Sequence, residues 1–351
     1  MDTIIDLRSD TVTKPTRKMR EAMMNAEVGD DCHGEDPTVH RLESLAAEKV
    51  GKPAAVYVPS GTMGNTAAIL SHTHSGDYAI MDSACHIYCF EHGNVSSLAG
   101  IMPILTDSDD GVPDTNVVAS YLQRDAAKFP RISLICLENT HNRRGGRAAS
   151  LDRMQAIHTL AQQYTVPVHL DGARLFNAAH AIGVEAREVA SHVDSVMFCL
   201  SKGLCAPVGS MLAGEADFIQ KARRARKRLG GGMRQAGVLA AAGIISLTDM
   251  IDRLGEDHAH AKLLAKALSQ FDILGLTSED FDTNMVFLDT TPLGMSAADF
   301  ADSVLQHNIK VSVAGPTTVR IVTNHDVSRE NVLYAAEVLV DLIAKRLNRS
   351  P

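Results

Sequence analysis

The chain has 351 residues, 45% of them hydrophobic and 22% charged, a globular composition with enough length for one large core and a smaller second one. A formal net charge of -8 at pH 7 and a pI of about 6.0 repel polyanions, which excludes nucleic acid as a partner and favours a small-molecule enzyme. No basic segment leads into an apolar stretch after Met1 and no apolar run is long enough to cross a bilayer; with six scattered cysteines, several in apolar settings, the expectation is a cytoplasmic protein with reduced thiols and no membrane partner.

The first fifty residues form an arm with two predicted helices, one beginning near Pro15 and one running from Pro37 to Val50 with Val39, Leu42, Leu45, Ala46 and Val50 on one face. Between them Gly29-Asp30-Asp31-Cys32-His33-Gly34-Glu35-Asp36-Pro37, bracketed by Gly and Pro, is a loop and a candidate part of a site. From residue 54, short apolar runs at 54–58, 78–81, 101–105, 132–137, 166–170 and 195–200 alternate with longer helical segments. That rhythm predicts an α/β fold with a mainly parallel sheet, in which ligands collect beyond the carboxyl ends of the strands. A helix carrying Lys221, Arg223, Arg224, Arg226, Lys227 and Arg228 leads into Gly230-Gly231-Gly232-Met233-Arg234, and a long alanine-rich helix follows to about residue 270. The basic helix lacks interleaved aromatics and reads as a solvated face or a subunit contact, whereas Arg234 on its Gly-rich turn suits an anion clamp. Beyond residue 282 the pattern becomes a smaller α+β domain, with strands at 285–288, 310–313 and 319–323 and a closing helix from Ser328 to Leu347. The expected organisation is an arm over 1–50, a large domain over 51–255 and a small domain over 256–351, with no internal repeat.

Four polar clusters fall where strands end. Ser60-Gly61-Thr62-Met63-Gly64-Asn65 opens a helix, so its free backbone N–H groups suit a phosphate or simply form an ordinary helix cap. His169-Leu170-Asp171-Gly172-Ala173-Arg174 delivers a carboxylate, and Cys199-Leu200-Ser201-Lys202-Gly203 a lysine 31 residues later (202 minus 171). That is about one strand-helix-strand crossover, which puts the two in neighbouring loops above one sheet. Such a pair is either a strand-end ion pair or the two groups that pyridoxal phosphate (PLP) requires: a Schiff-base lysine and a carboxylate opposite the pyridine nitrogen. Glu138-Asn139-Thr140-His141-Asn142 offers His141 as a general base or a hydrogen-bonded structural histidine, and His86 after the strand at 78–81 can stack on a cofactor ring. Cys85, His86, Cys89 and His92 have no second pair to complete a zinc site, so no metal is expected.

In combination, Asp6-Leu7-Arg8-Ser9-Asp10-Thr11-Val12-Thr13-Lys14-Pro15, Gly34-Glu35-Asp36-Pro37, Pro59-Ser60-Gly61-Thr62-Met63, Glu138-Asn139-Thr140-His141-Asn142, His169-Leu170-Asp171-Gly172-Ala173-Arg174 and Leu200-Ser201-Lys202-Gly203-Leu204 resemble the L-threonine aldolases of the fold type I PLP-dependent enzymes. The resemblance covers essentially the whole chain. It implies a seven-stranded, mainly parallel sheet in the large domain and cleavage of L-threonine, L-allo-threonine and related β-hydroxy-α-amino acids to glycine and an aldehyde. It also implies a cytoplasmic homotetramer, a dimer of dimers with sites at subunit interfaces, in amino acid metabolism and glycine biosynthesis.

Residue by residue, the resemblance implies that Lys202 binds PLP, Asp171 pairs with the pyridinium nitrogen, Arg174 lies beside the ring oxygen and His86 stacks on the ring. Ser60, Gly61 and Thr62 would hold the phosphate, with Arg234 reaching it from a neighbouring subunit. Ser9 and Arg320 would bind the substrate carboxylate, Arg174 would also contact the substrate, and His141 would face the β-hydroxyl, whose proton goes to His141, His86 or a water. Two positions depart from the family pattern: His33 stands where tyrosine is expected and Cys205 where glycine is expected. A PLP-dependent β-eliminating lyase on the same fold is the alternative activity. A PLP-sensing regulator is a third reading, for which no helix-turn-helix segment is found.

Overall fold

The structure, a computed structural model, describes residues 4–125, 127–277 and 281–347. In chain order its strands are β1 (Ile5–Asp6), β2 (Ala54–Val58), β3 (Tyr78–Asp82), β4 (Met102–Thr106), β5 (Ile132–Glu138), β6 (Val168–Asp171), β7 (Ser195–Cys199), β8 (Ser210–Gly214), β9 (Met285–Asp289), β10 (Ile309–Lys310), β11 (Ser312–Val313) and β12 (Thr318–Val322). The chain divides into two units, one of Pro15–Ile251 and one of Met1–Lys14 together with Asp252–Pro351. Of the expected arm, residues 15–50 thus belong to the first unit and residues 1–14 to the second. Among the described residues no helix is long and apolar enough to cross a membrane.

The first unit carries a seven-stranded sheet in the order β2-β8-β7-β6-β5-β3-β4. Strands β3 to β7 pair in parallel, and β8 lies antiparallel between β2 and β7. Strand β8 is absent from the sequence expectation because Ser-Met-Leu-Ala-Gly is buried throughout and so shows no alternation. Two successive antiparallel pairings leave β2 parallel to β7. The carboxyl ends of β2, β3, β5, β6 and β7 therefore open on one edge, where ligands of such sheets collect.

One face of that sheet is covered by the helices Gly61–His72 and Ala216–Arg228, where Val56, Val58, Met197 and Leu212 pack against Ala67, Ala68, Phe218, Ile219 and Ala222. The approach is close: a Cβ on Gly64 would sit 2.7 Å from Met197 Cγ, so the third turn position after Gly61 accepts no side chain. The basic helix is not simply solvated. Arg226 is buried, bridging Asp31 at 2.9 Å and the Tyr57 carbonyl at 2.8 Å, and Arg223 pairs with Glu43. These inward arginines tie the helix Pro37–Val50 region to β2.

The helix Pro37–Val50 starts where Asp36 caps it, accepting from the N–H groups of Thr38 and Val39, with Pro37 in the first turn. The second Asp36 oxygen accepts from Gly29 and Gly237, which closes the loop at 29–36 against the start of the helix Gly237–Ile245. The single alanine-rich helix expected to run to residue 270 is instead three pieces, Gly237–Ile245, a π-helical turn over Ser246–Met250, and Leu254–Leu268. The Ser246 hydroxyl, which donates to the Leu204 carbonyl at 2.8 Å and lies 3.2 Å from that of Ala242, is the polar insertion at the point of widening. The two units divide just after it.

In the second unit β11, β12 and β9 form an antiparallel sheet and β1 pairs in parallel with β10. The expected strand at 310–313 is divided at Val311, since β10 bonds to β1 while β11 bonds to β12. Ile5, Leu7, Leu264, Leu288, Phe300, Ile321 and Leu339 meet in its core. A fully buried side chain such as Phe300 contributes about 2–3 kcal/mol by leaving water. The burial of Ile5 and Leu7 in this core is why the N-terminal residues join a unit built mostly from the C-terminal third.

Candidate active site

Strands β3, β5, β6 and β7 deliver polar residues to the same edge. Strand β6 ends in Asp171, which is 1% exposed; its Oδ1 accepts from the Ala173 N–H at 3.1 Å and its Oδ2 from the Asn65 amide at 2.8 Å. Lys202 follows the adjacent β7 in a turn whose carbonyl accepts from the Cys205 N–H at 2.9 Å. Cys205 there has φ of +62°, the left-handed conformation that favours glycine, so the family's glycine at this position has a backbone reason. Arg174, two residues past the Asp171 turn, is buried at the start of the helix Leu175–Ile182.

His86 begins the short helix after β3. Its backbone N–H donates to Glu138 Oε2 at 2.5 Å and its Nδ1 lies 3.0 Å from Glu91 Oε1. Burial presses the His86 pKa down, but the Glu91 hydrogen bond and the charges of Asp171 and Glu91 outweigh it and raise the value, against a smaller opposing push from the Lys202 ammonium. Asp171 and Lys202 thus both act on His86 electrostatically. Glu91 is itself buried, and burial raises its pKa despite the bonds from His86 and Asn65.

His141, past β5, is fully buried, and its Nε2 lies 3.2 Å from Asp82 Oδ1 at the end of β3. Asp82 also accepts from the Ser108 hydroxyl at 2.7 Å and the Ala84 N–H at 2.7 Å. Burial alone would raise the Asp82 pKa, yet the bonds from His141, Ser108 and Ala84 bring it down to about 2. An ionised carboxylate only accepts, so His141 carries its proton on Nε2. His141 Nδ1 makes no hydrogen bond and lies 4.0 Å from Glu138 Oε1. Glu138 accepts from the N–H groups of His86 and Asn142, and burial with the nearby Asp171 charge raises its pKa.

Ser60 caps the helix Gly61–His72, its hydroxyl accepting from the Met63 N–H at 3.2 Å. The Gly61 and Thr62 N–H groups lie at the positive end of this helix, which suits an anion. A Cβ on Gly61 would come within 3.1 Å of Cys199 Sγ and of Met197 Cε, so that helix end sits tightly against β7. The same helix carries Asn65, which ties it to Asp171.

The remaining expected site residues have other neighbours. Arg234 is exposed and pairs with Asp30 at 3.0 Å. Ser9 and Arg320 belong to the second unit, where Ser9 caps a short turn by accepting from Thr11 and Arg320 lies 3.3 Å from the Arg8 carbonyl. Of the suspected zinc cysteines, Cys85 is buried and Cys89 lies 3.2 Å from the Ser83 carbonyl. Among the described residues, the group of three potential metal ligands is His86, Glu91 and Asp171, whose ligand atoms lie within 4.8 Å of one another. The Asn65 amide already bridges its two carboxylates.

The sequence reading did not single out Asn65, Glu91 or Asp82. Asp82 ends an apolar strand as Asp171 does, and that position was its only local signal; the partners of Asn65 lie 26 to 106 residues away, and Glu91 joins that distant residue to the nearby His86.

The beta-eliminating lyase family matches residues 6–291. The low-specificity L-threonine aldolase 1 of Arabidopsis thaliana is 42% identical over 335 residues, 94% of each chain. The low specificity L-threonine aldolase of Escherichia coli strain K12 is 43% identical over 334 residues, 95% of this chain and 97% of that one. Among solved structures, a threonine aldolase of Leishmania major superposes with a TM-score of 0.81 at 18% identity over 97% of this chain and 99% of that one, a likeness of fold.

Proposed function

Because the chain belongs to the beta-eliminating lyase family, with low-specificity L-threonine aldolases as relatives over nearly its whole length, we propose that it is a PLP-dependent aldehyde-lyase. It cleaves the Cα–Cβ bond of L-threonine, L-allo-threonine and related β-hydroxy-α-amino acids to glycine and an aldehyde, acetaldehyde in the case of threonine. The observation that carries this reading is the buried Asp171 at the end of β6, with Lys202 past the neighbouring strand, in a chain 42–43% identical to such enzymes.

The donor set fits the cofactor: a helix N-terminus for a phosphate dianion, a buried carboxylate for a cationic ring nitrogen and an amine for an aldehyde carbon. Bound PLP supplies an electron sink for the breaking Cα–Cβ bond. Lys202 would hold the aldehyde carbon and Asp171 would keep the ring nitrogen protonated, its carboxylate already fixed by Asn65 and the Ala173 N–H. Ser60, Gly61 and Thr62 would hold the phosphate, with Arg174 toward the ring oxygen and His86 toward the ring face.

Ser9 and Arg320 would bind the substrate carboxylate, a bidentate guanidinium fixing the orientation of the bond to be broken. His141 takes the β-hydroxyl proton on Nδ1 as the carbonyl forms, because Asp82 occupies Nε2. The enzyme is a cytoplasmic homotetramer, a dimer of dimers, in which Arg234 reaches the phosphate of a neighbouring subunit and the reaction runs toward glycine. The burial of Cys85, Cys136, Cys199 and Cys205 among apolar neighbours suits reduced thiols and supports a reducing compartment.

The test is the absorption spectrum of the purified protein with L-threonine and with L-allo-threonine, alongside detection of glycine and acetaldehyde. A PLP band with both products is expected. Pyruvate and ammonia in their place would move the activity to β-elimination, and a protein with no PLP band would overturn both readings.

A further inference from the structure

We propose that Asn65 is a positioning residue for the cofactor's ring nitrogen and for His86, its amide bridging Asp171 and Glu91 at the end of a one-way hydrogen-bond chain, His72–Ser195–His169. The inference rests on the PLP reading above. Asn65 is fully buried. Its Nδ2 lies 2.8 Å from Glu91 Oε1 and 2.8 Å from Asp171 Oδ2, so each amide hydrogen has its own carboxylate. Each of those carboxylates touches the site: Asp171 at the expected ring nitrogen, and Glu91 through the His86 Nδ1.

The direction of the whole chain follows from those two acceptors. An amide oxygen facing two carboxylates would be repelled, so Nδ2 must face them and Oδ1 must face His169 Nε2, 3.1 Å away. His169 Nε2 therefore donates. His169 is fully buried, and burial lowers its pKa to about 3, so the ring is neutral and its Nδ1 must accept. Its partner is the Ser195 hydroxyl at 2.9 Å. Having given its proton to His169, Ser195 must accept from His72 Nε2, which lies 2.8 Å away. Burial also lowers the His72 pKa, to about 4, and its ring stacks on Phe218 at 4.3 Å, which holds it in place.

Every donor in this line points toward the two carboxylates, and reversing any one member would leave a buried group unsatisfied. The line leaves the helix Gly61–His72 at His72, passes through Ser195 of β7 and His169 of β6, and returns to the same helix at Asn65; β6 and β7 are the two strands that lead to Asp171 and Lys202. Asn65 thus fixes one oxygen of Asp171 and helps orient the carboxylate that holds His86.

The test compares wild type with Asn65→Leu, which keeps the volume and removes the donors, and with Ser195→Ala, a small change inside a fully buried strand. The readouts are the cofactor dissociation constant of the holoenzyme, its chromophore band, and kcat separately from KM. Losing a hydrogen bond to a charged group predicts that Asn65→Leu weakens cofactor binding by about tenfold or more, shifts the band and lowers kcat more than it raises KM. Breaking the neutral part of the line predicts a change in the same direction of roughly fivefold for Ser195→Ala. If Asn65→Leu does not fold, Ser195→Ala decides. Wild-type cofactor affinity and band in Ser195→Ala overturn the one-way chain, and the same result in both variants overturns the bridging role. A wild type with no chromophore instead defeats the functional reading on which the inference stands.

Discussion

Replacing Asp82 by asparagine keeps the shape beside His141 and removes the charge. The Asp82 carboxyl is held at about 2 against an ordinary 3.8, a gap corresponding to about 2 kcal/mol of folding stability at neutral pH. Because the folded-state value is depressed, that contribution is complete above the unfolded value of 3.8 and disappears as pH falls through about 2. Asp82→Asn should therefore be less stable than wild type near neutrality, with the difference closing in acid. For catalysis, the charge supports the Nε2-protonated ring and stabilises the imidazolium that forms when Nδ1 takes a proton. The 3.2 Å separation is long for a charge-assisted bond, so the expected loss in kcat lies nearer tenfold than a hundredfold, about 1.5–2 kcal/mol. Acetaldehyde release from L-allo-threonine, followed across the pH range with cofactor occupancy checked by absorbance, measures it. A folded, PLP-loaded Asp82→Asn protein with wild-type kcat and pH profile would refute the role of His141 as base and of Asp82 as its partner.

Lys202→Ala should abolish both the PLP chromophore and turnover, and full activity with the normal band would contradict the assignment of the cofactor lysine. Arg320→Lys keeps the charge and loses the planar fork, so KM for the amino acid should rise by about tenfold with a smaller change in kcat; steady-state kinetics show this, and an unchanged KM removes Arg320 from the carboxylate site. At position 205 the left-handed backbone costs any residue with a Cβ about 1–2 kcal/mol. Denaturant unfolding should accordingly find Cys205→Gly more stable than Cys205→Ala by about 1 kcal/mol, and an alanine variant at least as stable as the glycine one would show that the turn is not strained.

Local chemistry made much of this protein legible in one dimension. Apolar runs that end in Asp171, Glu138 or Met81 announce strands of a parallel sheet, because a strand buried on both faces needs an unbroken apolar stretch and its polar end must reach the opening. The Asp171–Lys202 spacing carried the site for the same reason: one crossover of ordinary length joins adjacent parallel strands, and β6 and β7 are indeed neighbours. Pro37 after Asp36 and Ser60 before Gly61 mark helix starts whose capping bonds are made within three residues.

What escaped was everything set by distant partners. Strand β8 has no pattern of its own and exists because β2 and β7 leave an antiparallel slot between them. The inward turn of Arg226 depends on Asp31, nearly two hundred residues earlier in the chain, and the π-helical turn at Ser246 on the carbonyl of Leu204. Asn65 and Glu91 looked like ordinary helix residues and Asp82 like an ordinary strand end. Residue type and spacing report what a segment satisfies within a few residues of itself. A buried polar atom must take its partner from whichever segment the packing brings within about 3 Å, and the choice of Asp171 for Asn65 or of Asp82 for His141 is made only when the sheet assembles.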